Sequence, residues 1–152
     1  KVYQVRGALD VLAARLAAGQ RFRIDPKLME RGRRAARGRN VEAMIDADMA
    51  FHEAIYEASG NPLIGQSAGQ HWRHLRRAMG AVLQAEPQRE SLWDEHQDIA
   101  DAIAAGNEQR AAQLSEEHVA QASEALGRRL AQQLARTAST THHTPHRKGD
   151  KA

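Results

Sequence analysis

The chain has 152 residues, enough for one domain, and its formal charge of +3 comes from 22 Lys and Arg against 19 Asp and Glu. The balance is basic, with a pI near 9.7, but it does not demand a nucleic-acid partner. The absence of Cys excludes a disulfide framework, a thiolate metal site and a cysteine nucleophile, and suits a reducing cytoplasm.

Phe, Trp and Tyr together supply only 4% of the residues. The core must therefore be built from small aliphatic side chains at close spacing, which favours helices over sheets. No apolar run approaches the roughly 18 residues that cross a bilayer, and no signal-peptide layout stands at the start. The chain opens on Lys1, already in helical pattern by Val2, so a fragment with its upstream part removed is expected.

Val2, Val5, Leu9, Leu12 and Leu16 recur at three- and four-residue spacing up to Gly19, predicting a first helix that buries this row. Asp25 before Pro26 is a cap followed by proline at the first helical position, and starts a second helix to about Gly38. Its run from Arg31 to Arg39 holds five arginines without aromatic interleaving, so a solvated face or a surface toward another domain is expected rather than a DNA contact. Asn40 caps a third helix to about Ser59. Gly60-Asn61-Pro62 ends that helix and launches a fourth through Leu83, which Glu86-Pro87 breaks. A fifth helix spans about Gln88 to Ala105, Gly106-Asn107 supplies a stop and a cap, and a sixth continues to about Ala135. Residues 137–152 are nearly devoid of apolar side chains and are expected to form a disordered polar tail, leaving 1–136 as the folded domain. With no sustained period-two alternation, the fold class is all-α, an antiparallel bundle of about six helices.

Chemistry enters where polar residues interrupt apolar rows. Asp48 and His52 lie four apart on the third helix, on one face and about 6 Å apart along the axis, in a row with Val41, Ile45 and Ile55. His96 sits in the row Leu92, Ile99, Ile103, and His118 in the row Ala111, Leu114, Ala122, Ala125. Taken singly, each histidine fits a hydrogen-bonded core residue, and Asp48 with His52 fits a modest surface pair. Together on inward faces they favour one divalent cation, because buried carboxylates and imidazoles need partners and one ion satisfies all four. Zinc is the first expectation, with nickel, iron or manganese also suited to these ligands. His71 and His74 adjoin Trp72 and Arg73 on a mixed face and are not assigned a second metal, nor are His142, His143 and His146 of the tail.

The succession Val2 to Asp10, Asp48-x-x-Phe51-His52, Gly60-Asn61-Pro62, Glu95-His96, Ala105-Gly106-Asn107 and His118 resembles the FCD ligand-binding domain of GntR-type transcription regulators, over about residues 2 to 130. Asp10 and Asn107 stand where that family more often has Glu and Asp. The resemblance implies a helical bundle whose Asp and three His hold a metal at the base of an effector pocket. It also implies a homodimer and an N-terminal winged helix-turn-helix, absent from this chain, through which alone operator DNA would be bound. A small carboxylate effector is expected to meet Arg6, Asn61, Arg73 and Arg77. Arg6 also fits an ion pair with Asp10, Asn61 a helix cap, and Arg73 and Arg77 a solvated pair. The expected function is cytoplasmic effector sensing without enzymatic activity. The alternatives are a metal-dependent hydrolase or oxidase, for which the His-Glu-x-x-His and paired Glu-x-x-His patterns are missing, and an interaction bundle without ligand.

Overall fold

A computed structural model describes residues 1–85 and 89–141. Six helices follow in order, α1 (Val2–Gly19), α2 (Pro26–Arg37), α3 (Val41–Ala58), α4 (Pro62–Ala85), α5 (Arg89–Ala104) and α6 (Glu108–Thr141), and no strand occurs among the described residues. The expected break at Glu86-Pro87, the start of the fifth helix at Gln88 and the tail histidines lie outside the described residues.

The helix starts are set by side chains that satisfy otherwise orphaned backbone N–H groups. Asp25 accepts from the Lys27 N–H at 2.9 Å, Asn40 from Ala43 at 3.1 Å, Asn61 from Leu63 at 3.1 Å and Asn107 from Arg110 at 3.0 Å. Gly106, at φ 74°, closes α5. Its N–H reaches the Ile103 carbonyl and the next N–H reaches back to Ala102, each at 3.0 Å, the paired bonds of a glycine-ended helix.

The first helix is turned differently from its apolar pattern. Val2, Val5, Leu12 and Leu16 are 36–46% exposed, whereas Arg6, Asp10, Ala13, Ala14, Ala17 and Ala18 are buried. The reason is the partner. α1 lies along α6 in the opposite direction, with Gly7 beside Val119 and Gly19 beside Glu108. Four alanines without accessible surface let the two backbones approach at a distance that leucines would not permit, and Arg6 and Asp10 enter the interior as a pair. Of the row expected to be buried, Leu9 packs against the core and the other four lie on the outer face.

The arginine-rich helix is partly engaged rather than wholly solvated. Arg33 bonds Asp94 at 2.8 Å and the Trp93 carbonyl at 3.3 Å, fastening α2 to α5. The buried Gly32 leaves room for the Trp93 indole, whose atoms lie 2.0 to 2.3 Å from where a Cβ would stand. α6 also departs from expectation, because it remains helical to Thr141 instead of yielding to disorder at Thr137. Ala, Gln, Arg and Leu are good helix formers, and the Thr137 and Ser139 hydroxyls donate to carbonyls four residues back. Residues 130–139 are exposed throughout, including Leu130 and Leu134.

Candidate metal centre

The core gathers around one polar cluster. α3 supplies Asp48 and His52, α5 supplies His96 and α6 supplies His118, all with 4% of their surface or less exposed. One ligand atom from each can be chosen so that all four lie within 4.8 Å of one another. His96 Nε2 stands 3.2 Å from Asp48 Oδ1 and 3.3 Å from His118 Nε2, and His52 Nε2 stands 3.6 Å from the same carboxylate oxygen. Donors at about 2.0–2.1 Å from a tetrahedral ion would be about 3.3 Å apart, so these three separations are of the size that a coordination shell requires. Asp48 Oδ1 is buried, and no aligned hydrogen bond reaches it among the described residues. A buried acceptor of this kind costs free energy unless a cation answers it.

Surrounding groups orient the rings. Glu95 Oε2 accepts from His118 Nδ1 at 2.6 Å, which leaves the Nε2 lone pair facing the cluster. Phe51 stacks on the His96 ring at 4.1 Å and Trp93 meets it edge-on at 4.6 Å. Burial pushes the His96 and His118 pKa values down, against the opposing pull of Asp48 on the first and Glu95 on the second. Both rings are thereby held neutral, the form that binds metal.

Arg6 is 3% exposed. Its Nε donates to Asp10 Oδ2 at 3.2 Å, its Nη2 reaches His52 Nε2 at 3.0 Å, and its guanidinium lies 4.8 Å over the Trp72 ring. The Tyr56 hydroxyl donates to the other Asp10 oxygen, and burial beside Asp10 pushes the Tyr56 pKa up, so the phenol keeps its proton. A cavity of about 150 Å³ adjoins the cluster, lined by Tyr3, Arg6, Asp48, Glu95, His118 and Arg128 among others. That is about the volume that houses a benzene-sized molecule.

The other residues expected at an effector site lie elsewhere. Asn61 caps α4 and lines a separate groove between α3 and α4 with Glu57 and Trp72. Arg73 and Arg77 are exposed on α4 and line neither space. His71 is half-buried, His74 is exposed, and neither joins a cluster of ligands among the described residues. Sequence reasoning missed the contributions of Tyr3, Glu95 and Arg128 to this region. Glu95 precedes His96 and so falls off the apolar row, and only the folded chain shows that it serves His118.

The FCD domain model matches residues 1–121, which covers all four cluster residues, and the chain belongs to this family. The match is consistent with the C-terminal effector-binding domain of GntR-family regulators, a regulatory and non-enzymatic module. Comparison with individually curated proteins yields no match. No helix among the described residues is long and apolar enough to cross a membrane.

Proposed function

We propose that this chain is the sensing domain of a GntR-type regulator. One divalent ion, zinc in the first instance, is held by Asp48, His52, His96 and His118, and a small organic acid enters the adjoining cavity. The observation that carries the reading is the gathering of one ligand atom each from Asp48, His52, His96 and His118 within 4.8 Å of one another, around a buried Asp48 Oδ1 that no aligned hydrogen bond reaches among the described residues and beside a cavity that Arg6 also lines. A four-ligand set leaves positions open on a five- or six-coordinate ion. An acid oxygen would take one of them while Arg6 binds the carboxylate through charge-assisted hydrogen bonds. Binding would shift the balance between arrangements of a homodimer and so reposition DNA-binding domains linked to it in the cytoplasm.

Thermal denaturation tests the reading. Zinc is expected to raise the midpoint of metal-stripped protein, and one organic acid from a panel to raise it further where its neutral ester does not. If neither zinc nor another divalent ion shifts the midpoint, the proposal fails.

A further inference from the structure

Arg6 and a metal ion contend for the same lone pair. A guanidinium can only donate hydrogen bonds, so in the Arg6 Nη2 to His52 Nε2 contact of 3.0 Å the imidazole nitrogen is the acceptor. The ring proton then sits on Nδ1, which faces Asp10 Oδ2 at 3.7 Å. Nε2 is also the His52 atom that lies 3.6 Å from Asp48 Oδ1, within the cluster. It has one lone pair in the ring plane, and that pair cannot accept a proton from Arg6 and bind a cation at once.

Resting on the metal reading above, we infer that Arg6 is a built-in competitor of the metal, a placeholder that holds His52 in the metal-ready tautomer and must release it when the ion arrives. The release is local. Arg6 keeps its Nε bond to Asp10, and Asp10 keeps the Tyr56 hydroxyl, so the helix and the buried charge pair stay in place. What changes is Nη2, which exchanges His52 for the cavity that Arg6 already lines. The ion thus frees the donor that an organic acid needs. Metal loading comes first, and the acid site is completed by it. The competition also lowers the affinity for metal, because a buried cation stands 3.0 Å from a ligand atom until it is displaced.

Zinc affinity, measured by chelator competition in buffer without organic acid, separates this arrangement from a purely structural Arg6. In Arg6→Leu, which cannot donate, zinc is expected to bind about tenfold more tightly or better, the scale of a lost charged hydrogen bond. A folded variant with equal or weaker affinity overturns the inference, as it would if Arg6 merely held the site together. Should the variant not fold, nitrogen NMR of the wild-type side chains decides. The Arg6 to His52 Nε2 hydrogen bond is expected in the metal-free protein and is expected to vanish as zinc reaches Nε2, and persistence of that bond in the zinc-loaded protein overturns the inference. Wild-type protein that binds no divalent ion overturns this inference and the proposed function together, whereas unchanged affinity in Arg6→Leu removes this inference alone.

Discussion

Gly32→Ala sets two physical effects against each other. In the interior of α2, replacing glycine by alanine gains about 0.8–1 kcal/mol of helix propensity. The new methyl carbon, however, would stand 2.0 Å from Trp93 Cη2, 2.1 Å from Cζ2 and 2.3 Å from Cζ3, all far inside contact distance. The indole is 2% exposed and meets the His96 ring edge-on at 4.6 Å, and its carbonyl and its neighbour Asp94 are bonded to Arg33 of the same α2. Either the indole moves into the cluster or α2 lifts from α5. Overpacking of this kind costs typically 1–3 kcal/mol and sometimes more. A clash this close belongs at the upper end, so the net expectation is a loss of about 2 kcal/mol. Urea unfolding of metal-stripped protein, followed by far-ultraviolet circular dichroism, measures it, and zinc affinity is expected to fall with stability because Trp93 walls His96. A variant about 1 kcal/mol more stable than wild type, as propensity alone gives, would refute the packing argument.

Other expectations follow from the same geometry. Glu95→Ala should weaken zinc binding about 10- to 100-fold in chelator competition, as loss of a ligand-orienting carboxylate does, and Glu95→Gln should weaken it less, because an amide oxygen still accepts from His118 Nδ1. Metal-stripped protein should lose stability on acidification. His96 and His118 have depressed pKa values in the fold, so below the ordinary value of 6.5 the unfolded chain takes up protons first; stability is complete above that pH and falls as pH drops toward the folded values. Urea midpoints measured at falling pH check the sign. Asn40→Ala should cost about 1 kcal/mol by removing the α3 cap while leaving zinc affinity close to wild type.

The starts of α2, α3, α4 and α6 were legible because they rest on local chemistry, and Asp25, Asn40, Asn61 and Asn107 each satisfy a nearby N–H that the sequence alone points to. The buried face of α1 was not legible. Periodicity selects the largest apolar side chains, whereas the contact with α6 selects the smallest, and the four alanines won. Asp48, His52, His96 and His118 stood out because each interrupts an apolar row, and the structure brings all four together. Arg6 was visible as one half of an (i, i+4) pair, but its contact with His52 spans 46 residues and belongs to tertiary structure. The same holds for Glu95 and His118, and the placement of Arg73 and Arg77 outside the cavity depends on the rotation of α4, which spacing does not give.

Native mass spectrometry of protein purified without chelator tests the central claim most directly. One divalent ion per chain is predicted for the wild type and none for Asp48→Ala or His96→Ala. Wild-type protein that carries no ion and takes none up when zinc is added, with both variants as stable as the parent, would contradict it.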